Sequence, residues 1–219
     1  MAGTFPSAGH GARPGPGTSG RQPAYAGRAG SYDQATAVFQ EYRQVIVAAL
    51  PLRSDDLVLD VGCGTGLCFG FLLAKVGPRG RVIGIDESPQ MAELARERAA
   101  GEGWRNITVV QARAEDVKLA AAADAALFCA VHDILQSPQA LRNIVAQLRP
   151  GSWVGAGGGK WAPWLMGMNG HVLMLHAPYV RSFERFGKPW AHLERLIRDV
   201  HVRELGFGTG YVLTGRTVP

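Results

Sequence analysis

The run Leu59-Asp60-Val61-Gly62-Cys63-Gly64-Thr65-Gly66 limits the folds open to this chain more than any other stretch. A short, mostly apolar segment, residues 57–61, meets three glycines spaced two apart, and residues 67–76 then look helical until Gly77-Pro78. A short apolar run bounded by a turn reads as a buried strand. Glycine accepts the dihedrals of a tight strand-to-helix turn and lets a ligand come close to the backbone.

The same alternation continues downstream. Residues 81–86, 107–111, 125–129 and, more weakly, 153–156 read as further strands. Ser88 is a good N-cap with Pro89 at the first helical position, opening a helix to about Ala100. Ser137-Pro138 starts another helix, with Leu141, Ile144, Val145 and Leu148 on one face, and Pro150-Gly151 stops it. Strands alternating with helices predict parallel strands joined by crossover helices. Residues 200–205 and 210–214 flank Gly206-Phe207-Gly208 and read as a hairpin. Upstream, Val38, Phe39, Tyr42, Val45, Ile46 and Ala49 recur at helical spacing until Pro51. The expected fold is α/β: a Rossmann-like, seven-stranded, mostly parallel sheet with helices on both faces and a C-terminal antiparallel hairpin.

Composition sets the domain limits. Residues 1–30 hold 8 glycines and 4 prolines, so a flexible tail is expected there and a folded domain over 31–219. The tail carries Arg13, Arg21 and Arg28 and no acid, which leaves 20 basic and 18 acidic side chains in the rest. The net charge of +5 is therefore no domain-wide basic footprint, and no nucleic-acid partner is expected. No uncharged apolar run reaches the roughly 18–20 residues of a membrane helix, so no membrane span is expected. Cys63, Cys68 and Cys129 form neither a disulfide framework nor a zinc spacing, and a reducing cytoplasm is the expected location.

The glycine turn points to a nucleotide-bearing cofactor. It falls where the crevice of a doubly wound sheet lies, and Asp86 ends the next strand, where a carboxylate accepts hydrogen bonds from ribose hydroxyls. A dinucleotide fingerprint would need glycine at position 67, which is Leu67. No phosphate-binding G-x-x-x-x-G-K-[ST] loop is present.

At these residues the chain resembles the class I S-adenosylmethionine-dependent methyltransferases, over roughly residues 31–156 and the terminal hairpin. The resemblance implies that Asp60, Gly62, Cys63, Gly64 and Gly66 pack against the amino-acid part of S-adenosylmethionine. It implies that Asp86, with Glu87 beside it, holds the ribose, and that Met91, Ala114 and Glu115 line the adenine. Arg113 departs from the family, whose members usually carry aspartate there, so Glu115 or Asp116 would take the adenine amine. The subgroup it looks most like is the ubiquinone/menaquinone-type and related small-molecule methyltransferases. Residues 31–50 would then form an N-terminal lid helix, with Tyr25, Tyr32, Phe39 and Arg43 in the lid and the two tyrosines at the cofactor.

The acceptor side is read from residue chemistry. His132 follows the fourth strand at the crevice end of the sheet and is a candidate base; Asp133 would orient it or bind an amine. Residues 157–159 read as a flexible glycine run that lets a ligand approach closely, and Lys160 after it is a candidate for an anionic substrate group. Residues 161–192 form an acceptor-side insertion in which Trp164, Met168 and His171 are candidate substrate contacts; core packing or a homodimer face weighs equally for its aromatics and methionines. His171 and His176 are five apart, which does not suit a zinc pair on one helical face, and no metal is expected. The expected activity is methyl transfer to an O, N or C nucleophile of a small, largely apolar molecule. The alternative is the same cofactor-binding fold with non-methyl chemistry or a non-catalytic scaffold role.

Overall fold

The computed structural model describes residues 33–164 and 166–218. The expected tail, Tyr25 and Tyr32 lie outside the described residues.

Five strands follow the predicted alternation: β1 (Leu57–Val61), β2 (Arg81–Asp86), β3 (Ile107–Gln111), β4 (Ala123–Cys129) and β5 (Leu148–Gly159). The hairpin partners are β6 (Ile197–Leu205) and β7 (Gly210–Thr217). They form one sheet in the order β3-β2-β1-β4-β5-β7-β6, parallel from β3 to β5 and antiparallel through β7 and β6. Every residue of β1 is buried, because helices cover both faces. Its side chains alternate accordingly. Leu57, Leu59 and Val61 enter one core, and Val58 enters the other.

The helices begin where the sequence says they should. Helix α1 (Gln40–Ala49) precedes β1, and α2 (Phe69–Val76) follows the glycine turn. In α3 (Pro89–Gly101) the Ser88 hydroxyl accepts from Met91 N at 3.3 Å. A four-residue helix α4 (His132–Leu135), absent from the sequence reading, leads into α5 (Pro138–Val145), capped by the Ser137 hydroxyl. Helix α6 (Met166–His176) lies between β5 and the hairpin.

Two expectations about β5 need correction. Pro150-Gly151 does not end a helix; it lies inside β5, which starts at Leu148. Proline has no amide to give, and the ladder shifts register there. Ser152 restores pairing, with its amide donating to Thr217 Oγ1 at 2.9 Å and its hydroxyl donating to the Ala123 carbonyl at 3.3 Å. The second correction concerns residues 157–159, which are ordered strand and not a flexible run. A Cβ on Gly155 would lie 2.4 Å from Leu50 Cδ1, and one on Gly157 would lie 2.5 Å from Ile46 Cγ1. The glycines thus form a groove that accepts the buried face of the N-terminal helix.

Candidate active site

In the strand order, β1 and β4 are neighbours whose connections leave in opposite directions, to β2 and to β5. That is the switch point at which the strand ends of an open α/β sheet form a crevice. A cavity of about 150 Å³ opens there, lined by the glycine turn, the ends of β2 and β4, and residues 112–115.

The turn itself explains what the crevice accepts. Gly62, Gly64 and Gly66 have φ of 69°, 56° and 81°. A Cβ on Gly62 would fall 2.5 Å from Val131 Cγ1, so the turn also packs tightly against the residues after β4. Its amides are used internally. Gly62 N and Cys63 N donate to the Ile85 carbonyl, Gly66 N donates to that of Cys63, and Gly64 N donates to Asp86 Oδ2 at 2.9 Å. With four of the amides of residues 62–66 spent in this way, the turn presents a close backbone surface more than a phosphate cradle.

Two charged groups face this surface. Asp60 is fully buried at the cavity, and its Oδ2 has no hydrogen-bond partner among the described residues. Burial, reinforced by the nearby Asp86 charge, pushes its pKa up to about 7. Arg43, also buried, reaches the same cavity from α1. Its guanidinium donates to the Thr36 carbonyl at 2.9 Å and to Gln40 Oε1 at 3.3 Å, and pairs with no acid among the described residues. A buried carboxyl and a buried guanidinium in one crevice complement an amino acid's ammonium and carboxylate.

Asp86 holds the turn as well as facing the cavity. Its Oδ2 takes Gly64 N, and its Oδ1 takes Ser88 N at 2.9 Å. Burial raises its pKa, and those two amides offset only part of the rise. Cys63, Met91, Ala114 and Glu115 line the same cavity, with the Met91 side chain buried. Glu115 accepts the Ser137 hydroxyl at 2.9 Å, and the Arg113 guanidinium lies 3.6 Å from it.

A second, larger cavity of about 320 Å³ adjoins the first. Phe39, Tyr42 and Ile46 of the N-terminal region, residues 157–159 of β5, α6 and Phe186 form its mostly apolar wall. The two cavities share Arg43, residues 129–132 and Tyr179. His132 belongs to this common wall. Its Nε2 lies 3.1 Å from the Glu184 carbonyl, which only accepts, so Nε2 carries the hydrogen. Nδ1 is buried with no hydrogen-bond partner among the described residues, and burial lowers the ring's pKa.

Several acceptor-side expectations change. Asp133 does not hydrogen-bond His132. It accepts from Arg181 N at 3.2 Å, and the Arg181 guanidinium bridges Asp133 (3.7 Å) and Glu87 (2.9 Å) across the crevice mouth. Lys160 is neither solvent-facing nor at a cavity. It is 3% exposed and paired with Glu204 at 2.8 Å. Trp164 is 89% exposed and lines neither cavity. Met168 and His171 do line the second cavity. Arg181, Tyr179, Phe186 and His176 were not among the predicted site residues. Arg181 had no sequence signal, since its partners are 48 and 94 residues away. Among the described residues, no group of three or more His, Cys, Asp or Glu is placed to hold a metal ion.

Comparison with known proteins agrees with this geometry. A family model described as "Methyltransferase domain" matches residues 58–151. An uncharacterised 37.1 kDa protein in transposon TN4556 of Streptomyces fradiae is 34% identical over 131 residues, 58% of this chain and 36% of that protein. Aklanonic acid methyltransferase DauC of Streptomyces sp. strain C5 is 48% identical over 73 residues, 33% of each chain. This chain thus spans about a third of the length of the curated relatives it matches. In fold it is similar to a SAM-dependent methyltransferase from Aquifex aeolicus, with a TM-score of 0.64, 19% identity, and 87% of this chain and 97% of that one covered.

Proposed function

Since this chain belongs to the class I S-adenosylmethionine-dependent methyltransferase family, we propose that it transfers a methyl group to a small, largely apolar acceptor. One observation carries the reading: a crevice suited to the cofactor and a larger apolar cavity meet at a single wall that includes His132. A donor and an acceptor held side by side form a near-attack pair, an arrangement able to supply roughly 7–11 kcal/mol.

The residues present fit the cofactor. The glycine turn supplies a close surface with most of its amides already bonded, while Asp60 and Arg43 offer opposite charges to an amino-acid end. Asp86 and Glu87 would take the ribose, and Met91, Ala114 and Glu115 the adenine. When bound, S-adenosylmethionine supplies an electrophilic methyl carbon. His132 would line the junction where the methyl group passes, its ring held in place by Nε2 donating to the Glu184 carbonyl. The apolar wall excludes water from that exchange. Phe39 and Arg43 act as fixed parts of this wall. Helix α1 would serve as a fixed side of the site and not as a moving lid, because Ile46, Val47 and Leu50 are packed in the core.

Calorimetry with S-adenosylhomocysteine and with NAD tests the cofactor. Binding of the first and not the second is expected; tight NAD binding with no response to S-adenosylhomocysteine would defeat the reading. A panel of small aromatic acceptors, scored by S-adenosylhomocysteine release and methyl mass gain, tests turnover.

A further inference from the structure

One side chain crosses the mouth of the cofactor crevice. Glu87 follows β2 and Asp133 follows β4, and in the sheet order β1 lies between those two strands. A group that reaches both acids therefore spans the glycine turn after β1. Arg181 does so. Its guanidinium donates to Glu87 Oε1 at 2.9 Å and lies 3.7 Å from Asp133 Oδ2, and its amide donates to Asp133 Oδ1 at 3.2 Å. All three residues line the crevice. Two acids match the charge of Arg181, whereas Arg43 pairs with none among the described residues, so Arg181 is not the anchor for a ligand's carboxylate.

The segment that carries Arg181 is anchored on either side. Before it, Tyr179 N donates to the carbonyl of His176, the last residue of α6, at 2.8 Å. After it, Phe183 stacks on Trp161 with centroids 5.2 Å apart, Phe186 is buried, and the Pro189 carbonyl accepts from Gln136 Nε2 at 3.0 Å. Residues 180–182 belong to no helix or strand. The side chains of the bridge are only 31–40% exposed to solvent, yet that is enough to keep each ion pair weak, worth about a few-fold in an equilibrium. Two such pairs on one guanidinium hold a gap closed and still let it open. Arg181 takes only Oε1 of Glu87, which leaves Oε2 for a ribose hydroxyl, so the bridge is compatible with a bound cofactor.

We propose that Arg181 is the latch of the cofactor crevice: its bridge from Glu87 to Asp133 opens to let S-adenosylmethionine in and S-adenosylhomocysteine out, and closes over either. This rests on the methyltransferase reading. A latch governs passage and not the bound state, so loosening it speeds entry and exit alike and leaves the affinity almost unchanged. A residue that gripped the ligand would change release alone, and an ion pair that only decorates the surface would change neither rate.

Rapid filtration with radiolabelled S-adenosylhomocysteine measures association, and dilution into excess unlabelled ligand measures release. In Arg181→Met, which keeps an apolar stem, both rate constants should rise about threefold to tenfold while the dissociation constant changes less than about twofold. Arg181→Lys, whose ammonium lacks the planar fork, should fall between the two proteins. Asp133→Asn loosens the bridge from its other end and should also raise both rates; combined with Arg181→Met it should add almost nothing. Raising salt from about 0.05 M to about 1 M should speed both rates in the wild-type protein by screening the bridge, and that response should vanish in Arg181→Met. An unchanged association rate in Arg181→Met, faster release alone, or an equal salt response in both proteins overturns the latch. A wild-type protein that fails to bind S-adenosylhomocysteine overturns the methyltransferase reading instead, and the latch with it.

Discussion

The two cavities share a wall but are built in opposite ways. The cofactor crevice is made mainly by short segments at strand ends: the turn after β1, the end of β2 and residues 112–115. The proposed acceptor cavity is assembled from Phe39, β5, α6 and the hairpin, segments up to about 170 residues apart. The first depends on backbone shape, and a handful of glycines and acids determines it. The second depends on which side chains the tertiary fold brings together. Substitutions in the crevice should therefore affect stability and cofactor binding together, whereas those in the acceptor cavity should affect acceptor recognition alone.

The largest expected effect is at Gly62. Gly62→Val would put a branched side chain at φ 69° and into Val131 and Ile134. Backbone strain of about 1–3 kcal/mol adds to overpacking of a similar size, so urea unfolding should show a loss of up to about 6 kcal/mol. A loss under about 1 kcal/mol would mean that the turn does not require glycine there.

Next comes Asp60, whose folded pKa of about 7 stands against an ordinary value of 3.8. A raised pKa means that the folded state binds the proton more tightly than the unfolded one. The stabilisation is fully present below pH 3.8 and lost as pH rises through about 7. Across that window the cofactor-free protein should lose on the order of 4 kcal/mol relative to Asp60→Asn. Parallel stability curves for the two proteins from pH 4 to 8 would contradict the buried carboxyl.

Asp86→Ala should weaken S-adenosylhomocysteine binding roughly 10–150-fold, the cost of a lost charge-assisted contact. From the sequence, a strand-end residue facing the crevice would cost little stability. Its bonds to Gly64 N and Ser88 N change that, and a stability loss of about 1–3 kcal/mol is now expected. An unchanged dissociation constant would remove Asp86 from the site.

The smallest effects sharpen the contrast. Met168 lines the acceptor cavity while 37% exposed, so Met168→Ala should raise the acceptor's KM by about threefold to tenfold and leave cofactor affinity unchanged. Trp164→Ala should change neither constant, because the residue is exposed and lines neither cavity. A raised KM in Trp164→Ala would return that residue to the acceptor wall.

The sequence was legible where function and local geometry coincide. Gly62, Gly64 and Gly66 announce themselves because few other residues suit their dihedrals, and Ser88 and Ser137 because an N-cap is decided within four residues. Lys160 misled because its neutralising partner, Glu204, is 44 positions away on β6. The glycines of β5 read as loop because what fills their space, Leu50, Ile46 and His176, is distant in the chain. The Arg181 bridge is likewise a product of packing.

The glycine groove of β5 also bears on modularity. The stretch matching the methyltransferase family model, residues 58–151, reads like a portable cassette, yet it stops early in β5 and omits α1, β7 and β6. Excised alone, it would leave β4 with little of its neighbouring strand and Leu127 without Leu50 and Val212 of the same core. Such a fragment would expose a sheet edge and an apolar face at once, and should self-associate. The unit that can be transplanted, fused or inherited whole is therefore larger than its signature: it begins before Gln40 and ends only with the closing strand.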